Sequence, residues 1–154
     1  MLCQNKNRRL GMLDDLTNLQ ALLKDSTLLA TRGYIAGEWC DGENGQTFPV
    51  YNPARGDVIT DVADISRTQT AEAISIAEKA QKLWAARPAK ERSNLLRNWY
   101  NLMMENQEDL ATILTAEQGK PIEEAKGEIA YGASFIEFFA EEAKRVYGET
   151  IPGH

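Results

Sequence analysis

The stretch 122–147, IEEAKGEIAYGASFIEFFAEEAKRVY, decides the fold prediction because its apolar residues recur at steps of three and four. Such spacing places side chains on one side of an α-helix. The stripe alternates small and large residues: Ile122, Ala125, Ile129, Ala133, Ile136, Ala140 and Ala143. Phe135, Phe138 and Phe139 widen the apolar face beyond this stripe, so we expect the helix to contact neighbours on more than one side.

Two more helical stretches precede this one. Ser66 and Gln69 have the spacing of a capping box, which predicts a helix start, and Pro88 breaks the pattern that follows. The second stretch runs until Gly119 and Pro121 stop it. Its apolar residues are Leu95, Leu96, Trp99, Leu102, Met103, Leu110, Ile113 and Leu114. The sequence therefore predicts three long helices.

The pattern before Ser66 is that of strands. YIAGEW (34–39), TFPVYN (47–52) and VITDVA (58–63) are short runs separated by glycine- and asparagine-rich turns. Pro49 predicts an edge strand, because proline cannot donate to the ladder. We therefore expect a short β-hairpin region of two or three strands before the helices.

The first residues have a different character. Residues 1–31 are predicted to be an arm, partly disordered or containing a short helix, since LDDLTNLQALL (13–23) has leucines at helical spacing. Residues 32–154 are predicted to be one structural unit.

Composition excludes several classes of protein. The 154 residues include 17 Lys plus Arg and 23 Asp plus Glu, which argues against a sequence-independent nucleic-acid partner. No apolar run approaches the roughly 20 residues that span a bilayer, so no membrane partner is expected. Two cysteines without CxxC spacing favour a reducing compartment. The start lacks the apolar middle of a signal peptide, and we predict a cytoplasmic protein.

Signatures of catalysis and cofactor binding are nearly absent. The one histidine, His154, is terminal, and neither GxGxxG nor GxxxxGK[ST] occurs. Cys40 follows Trp39 without a base nearby in sequence, and an ordinary buried or turn cysteine is favoured over a nucleophile. Tyr131 and Phe135, one helical turn apart, could line a pocket, but core packing is favoured.

A group of acidic residues has two interpretations. Glu123, Glu124 and Glu128 have helical spacing and fit a cation site or a general base. Because Lys120 and Lys126 are interleaved with them, a solvated, salt-bridged face is favoured.

The amino-acid sequence also resembles that of a known protein family. YIAGEW, VYNPARGDVI, AKERSNLLRNWYNLMMENQEDLA and EQGKPIEEAKGEIAYGASFIEFFAEEAKRVYGETIPG together resemble the amino-terminal part of an aldehyde dehydrogenase. The likeness covers residues 24–154 and is greatest to the succinate-semialdehyde dehydrogenase branch and its glutarate-semialdehyde relatives. It implies an α/β parent with the aldehyde dehydrogenase fold. Residues 32–154 would then be its amino-terminal portion, truncated before the Rossmann and catalytic parts.

The resemblance also implies a reaction. The parent would oxidise succinate semialdehyde to succinate with NADP or NAD through a cysteine thiohemiacetal. None of the implied catalytic or cofactor-binding groups falls within residues 1–154, so the chain alone is expected to be inactive. Implied partners are the remainder of the parent chain and, in the parent, further copies of a homo-oligomer. The alternatives are a non-catalytic helical interaction module and one half of a split glutarate- or succinate-semialdehyde dehydrogenase.

Two sites carry over from the resemblance. A monovalent cation would be held by main-chain carbonyls of Val50 and Tyr51 and by the carboxylate of Glu117, which stands where some relatives have aspartate. Tyr131 and Phe135 match positions that line the family's substrate tunnel.

Overall fold

The computed structural model describes residues 19–153. Its helices are α1 (Leu19–Leu22), α2 (Arg67–Ala85), α3 (Ala89–Glu105), α4 (Gln107–Gln118) and α5 (Ile122–Glu142). Its strands are β1 (Gly33–Ile35), β2 (Glu38–Cys40), β3 (Thr47–Tyr51) and β4 (Val58–Ala63). Short 3₁₀ turns span Ser26–Leu28 and Glu43–Gly45. The predicted order, hairpins followed by long helices, is confirmed.

The first hairpin lies within the run that the sequence analysis treats as one strand. β1 and β2 pair antiparallel, with Tyr34 opposite Trp39 and their ring centroids 5.0 Å apart. The turn between them places Ala36 at φ 57° and Gly37 at φ 88°. Both values are typical of a two-residue hairpin turn. YIAGEW is therefore a hairpin rather than a single strand.

The second hairpin pairs β3 with β4 antiparallel, and Pro49 lies opposite Asp61. Because this sheet has two strands, both are edge strands and the prediction from Pro49 is confirmed. The register shifts between Val50 and Tyr51, which marks a β-bulge next to the turn that follows β3.

The capping box at the start of α2 is confirmed. Ser66 Oγ accepts a hydrogen bond from Gln69 N at 3.2 Å, and Gln69 Oε1 accepts one from Ser66 N at 3.0 Å. Gln69 also accepts from Glu43 N and donates to the Asp41 carbonyl, so it joins the loop before β3 to the helix. No residue of α2 is buried.

The second predicted helical stretch is two helices, α3 and α4, which meet at Asn106. This residue has φ −102° and ψ 18°, outside the helical region, and its Nδ2 donates to the Leu102 carbonyl at 2.9 Å. An asparagine side chain that bonds the main chain in this way competes with the helical hydrogen bonds. Gly119 then ends α4 at φ 73°, as predicted, and its amide donates to the Thr115 carbonyl.

Helix α5 lies along both α3 and α4. The predicted stripe is confirmed, because Ala125, Ala133 and Ala140 of α5 have no exposed surface. The helix ends at Glu142, and the expected continuation to residue 147 is wrong. The alanines let the helix axes approach closely, so the packed side of α5 depends on small residues.

The described part of the predicted arm belongs to the core. Leu19 and Leu23 are buried and pack with Ala116 of α4. Leu22, Leu29, Ile59 and Ile113 pack around this cluster. The Asp109 carboxylate, 5% exposed, accepts hydrogen bonds from the amides of Lys24 at 3.1 Å and Asp25 at 2.8 Å. The part of the predicted helix 13–23 before residue 19 lies outside the described residues.

Candidate functional site

The turn between β3 and β4 is built around a buried asparagine. Asn52 is 3% exposed, and its Oδ1 accepts hydrogen bonds from Ala54 N at 2.9 Å and Arg55 N at 3.3 Å. Its carbonyl accepts from Gly56 N at 2.7 Å, and its amide donates to the Asp57 carbonyl at 2.8 Å. Asparagine favours such turns because its side chain imitates the main chain. This part of the backbone is therefore fixed by hydrogen bonds on both sides.

An ion pair closes the outer end of the same turn. The Arg55 guanidinium donates to both carboxylate oxygens of Asp57, at 2.9 Å from Nε and 2.8 Å from Nη2. These hydrogen bonds hold the pKa of Asp57 below its ordinary value. The pair stabilises the charged carboxylate at the turn.

The turn contacts the end of α4. Pro53 Cγ lies 3.1 Å from the position that a Cβ on Gly119 would occupy. The fold thus brings Pro53, two residues after Tyr51, to Gly119, two residues after Glu117. Val50 is half-buried, and the side chains of Tyr51 and Glu117 are exposed. The bulge between Val50 and Tyr51 interrupts the regular ladder where the predicted carbonyl ligands lie.

The cation site stays a prediction. Among residues 19–153 no three His, Cys, Asp or Glu side chains cluster as metal ligands do. A cation at the turn would therefore depend on main-chain oxygens and one carboxylate, a ligand set that suits a hard ion.

Aromatic side chains cover the side of α5 opposite its buried alanines. Tyr131 and Phe135 make an edge contact with centroids 4.9 Å apart, and Phe138 and Phe139 make another at 5.3 Å. These four side chains, the α5 aromatic face, are 48–66% exposed. Core packing of Tyr131 and Phe135, the interpretation that the sequence analysis favoured, is therefore wrong for the described residues. Their place in a substrate tunnel stays a prediction.

Helix α3 has an exposed apolar side as well. Leu95, Trp99 and Leu102 lie on one side of the helix and are 44%, 56% and 57% exposed. We call these three residues the α3 apolar stripe. Within residues 19–153 no large side chain is fully buried. The helices therefore pack on one side and leave a second apolar side uncovered.

Charged side chains join α3 to α5. Arg97 donates to Glu137 at 2.5 Å and to Glu141 at 2.7 Å, and Lys144 pairs with Glu141 at 2.7 Å. Hydrogen bonds that Glu141 accepts from Lys144 and then Arg97 lower the pKa of Glu141, and those that Arg97 donates to Glu137 and then Glu141 raise the pKa of Arg97. The guanidinium also lies 5.3 Å from the centre of the Tyr100 ring. This network fixes how the two helices lie together.

The acidic residues at the start of α5 form the predicted salt-bridged face. Lys120 pairs with Glu128, and Lys126 pairs with Glu108 at 2.8 Å and Glu123 at 3.4 Å. The hydrogen bond that Lys126 donates to Glu108, more than the one that it donates to Glu123, raises the pKa of Lys126. Glu123 and Glu128 are thus salt-bridged, as the favoured interpretation predicts, and in the described residues no three His, Cys, Asp or Glu side chains cluster as metal ligands do.

Two further predictions concern single features. Cys40 is half-buried at the end of β2, with Sγ 3.7 Å from the Glu38 carbonyl oxygen, as expected for an ordinary strand-end cysteine. Cys3 lies outside the described residues.

None of the helices between residues 19 and 153 has both the length and the apolar character required to cross a membrane.

Comparison with known proteins decides the family. A sequence model described as the aldehyde dehydrogenase family matches residues 39–154, three-quarters of the chain. The chain belongs to the aldehyde dehydrogenase family. The glutarate-semialdehyde dehydrogenase of Pseudomonas putida is 60% identical over 132 residues, which cover 86% of this chain and 28% of that protein.

Two similarities to Escherichia coli proteins agree with this assignment. The succinate-semialdehyde dehydrogenase [NADP(+)] is 55% identical over 132 residues, 86% of this chain and 27% of that protein. A crystal structure of an E. coli NADP-dependent enzyme superposes with a TM-score of 0.82 and 55% identity, over 86% of this chain and 27% of that one. The chain thus spans 27–28% of the length of these relatives.

Proposed function

We propose that this chain is the amino-terminal part of a cytoplasmic succinate-semialdehyde dehydrogenase that uses NADP or NAD, and that its role there is structural. The observation that carries the proposal is the α5 aromatic face, which is exposed in a chain spanning 27–28% of its relatives' length. Exposed apolar patches of this kind mark surfaces that other polypeptide covers. The remainder of the aldehyde dehydrogenase fold is the partner that we propose for it, within a homo-oligomer.

The substrate is proposed from the relatives. The E. coli relative is named for succinate semialdehyde and NADP⁺. The P. putida relative, which is more similar at 60% identity, is named for glutarate semialdehyde and supports that compound as the second candidate. Both are short aldehydes with a carboxylate at the far end, so the proposal at class level is an ω-carboxylate semialdehyde.

Residues 19–153 do not fit a dinucleotide. A dinucleotide cradle needs a parallel strand that leads through a glycine-rich turn into a helix. Both sheets here are two-stranded and antiparallel, and the described residues include no such strand–turn–helix unit. We therefore propose that the reaction chemistry comes from the part of the fold outside these residues. Their proposed contribution is positioning: the Arg97 network and the α5 alanines set α3 and α5 at a fixed distance.

Two positions contribute to the proposed assembly. Tyr131 and Phe135 would line part of the substrate path, since their paired rings present apolar edges to whatever lies over α5. A monovalent cation bound by the carbonyls of Val50 and Tyr51 and by Glu117 would brace the turn against α4, where Pro53 already contacts the helix end.

A chimera tests the proposal. Residues 1–154 would replace the matching 28% of the P. putida relative, and the reduction of NAD⁺ or NADP⁺ would be followed with succinate and glutarate semialdehydes. We expect the chain alone to be inactive and the chimera to oxidise one or both substrates. The ratio of kcat/KM values then distinguishes the two candidates.

The matched variants of the chimera are Phe138→Ser, on the α5 aromatic face, and Phe48→Ser, on β3. The two phenylalanines are 56% and 49% exposed in this chain. If the rest of the fold covers α5, the first change lowers thermal stability and the second has little effect. A soluble chimera that is inactive with both substrates contradicts the proposed function and favours a non-catalytic interaction module.

A further inference from the structure

A half-buried arginine near the start of α3 has no partner among residues 19–153. In the part of the chain that the structure describes, Arg92 Nε is buried without a hydrogen-bond acceptor, and the side chain makes no ion pair. Arg97, five residues further on, is bonded to two carboxylates. Buried donors are rarely left unpaired because each costs free energy. Arg92 therefore indicates an acceptor outside residues 19–153.

The position of Arg92 connects it to the uncovered side of α3. Arg92 precedes Leu95, Trp99 and Leu102 by three, seven and ten residues, which places it on the same side of the helix. The unpaired cation therefore lies at one end of the α3 apolar stripe. Exposed apolar surface and an unpaired charge are independent signs, and both point to one missing neighbour.

We infer that the polypeptide covering the α3 apolar stripe presents a carboxylate to Arg92, and that it is the part of the aldehyde dehydrogenase fold that this chain does not span. This inference rests on the proposed function. The chain covers only 27–28% of its relatives, which leaves nearly three-quarters of the fold to supply that neighbour. A carboxylate suits the planar guanidinium because two parallel hydrogen bonds can form.

A second copy of the chain fits this face less well. Antiparallel packing of the same stripe on itself places Leu102 of one copy opposite Arg92 of the other. The three residues of the stripe include no carboxylate, so the cation of each copy would depend on Glu105, one helical turn beyond Leu102. The larger share of the fold, which lies outside this chain, therefore favours a covering polypeptide that differs from the stripe.

The experiment compares Arg92→Met with Lys90→Met in two contexts. Methionine keeps an unbranched stem and removes the charge, and Lys90 is an exposed residue of the same helix with no ion pair in the described residues. The contexts are the full chain and the chimera described above. Urea unfolding is measured for the chain, and the rate of thermal inactivation or unfolding for the chimera.

We expect Arg92→Met to leave the unfolding midpoint of the chain unchanged or raised, because it removes an unpaired donor. In the chimera the same change should speed unfolding by about tenfold or more, because it leaves the partner carboxylate unpaired. Arg92→Lys should slow unfolding again in part, since lysine restores the positive charge but not the two parallel hydrogen bonds of a guanidinium. Lys90→Met should change neither protein.

Three results overturn the inference. Arg92→Met could destabilise the chain as much as the chimera, which would make the role of Arg92 internal. Arg92→Met could also leave the unfolding rate of the chimera unchanged, as Lys90→Met is expected to do. The chain could instead dimerise through a contact that Arg92→Met weakens tenfold, which would identify a second copy as the occupant. Because unfolding needs no activity, an inactive chimera contradicts the proposed function while the Arg92 contrast is still measured.

Discussion

Replacement of Asp109 should release the segment after α1 from the helices. The Asp109 carboxylate accepts hydrogen bonds from the amides of Lys24 and Asp25, and it is nearly inaccessible to water at 5% exposure. The interaction joins residues that are 84 and 85 positions apart in sequence. It also places a negative charge in the first turn of α4, where the helix dipole favours it.

The magnitude follows from the two bonds. A hydrogen bond to a charged group contributes about 1.5–3 kcal/mol, and an amide that regains water on release recovers part of that. Asp109→Ala should therefore lower the free energy of unfolding by about 3 kcal/mol. Asp109→Asn keeps one acceptor oxygen but loses the charge and turns an NH₂ group toward an amide, so we expect about half to two-thirds of that loss.

Urea unfolding followed by circular dichroism measures the global effect, and amide hydrogen exchange at Lys24 and Asp25 measures the local one. Glu105→Ala is the control, because Glu105 is exposed and makes no ion pair in the described residues. That change should stay within about 0.5 kcal/mol of the parent. If Asp109→Ala matched the control, or if the two amides kept their protection, the reasoning would be refuted.

Three other predictions concern packing, pH and the cation. Ala133→Leu, at a position without exposed surface, should cost about 1–3 kcal/mol in urea unfolding through overpacking, whereas Ser134→Leu on the exposed side should cost little. Lys144 lowers the pKa of Glu141 below its ordinary 4.5 in the folded chain. The ionised carboxylate therefore adds to the free energy of unfolding above pH 4.5, and this contribution is lost as the pH falls through the lowered pKa. Glu141→Gln should therefore reduce the loss of stability on acidification, as unfolding midpoints measured across that range would show. Potassium chloride should raise the melting temperature above that in choline chloride at equal ionic strength, and Glu117→Gln should abolish the difference; an equal rise in both proteins would contradict a cation at that carboxylate.

Local chemistry made much of the fold predictable. Ser66 and Gln69 satisfy each other's amides over a separation of three residues, so their spacing alone predicts the start of α2. Gly119 ends α4 because glycine adopts a positive φ without strain. The α5 stripe was predictable because apolar residues that recur with the helical period lie on one side of the helix, and that side packs against its neighbours.

Features that depend on distant or unusual contacts were not predictable in this way. The break at Asn106 has no glycine or proline, and only the preference of asparagine for main-chain hydrogen bonds signals it. The hairpin within YIAGEW needs Ala36 at a positive φ, which a non-glycine residue adopts uncommonly. The Asp109 contact joins segments that no periodicity relates, and so does the packing of Leu19 and Leu23 with Ala116.

The two sides of α5 explain why a family resemblance and a packing argument lead to the same proposal. One side buries alanines completely against α3 and α4, which fixes the helix in place. The other presents four aromatic side chains, and neighbouring α3 presents three large apolar ones, all at least 44% exposed. Burial of apolar surface contributes about 25 cal/mol per Å², and folding of residues 19–153 leaves much of the surface of these seven side chains exposed. A surface of this kind is stabilised only when another polypeptide covers it, and the relatives, about three times as long, have the additional chain to do so.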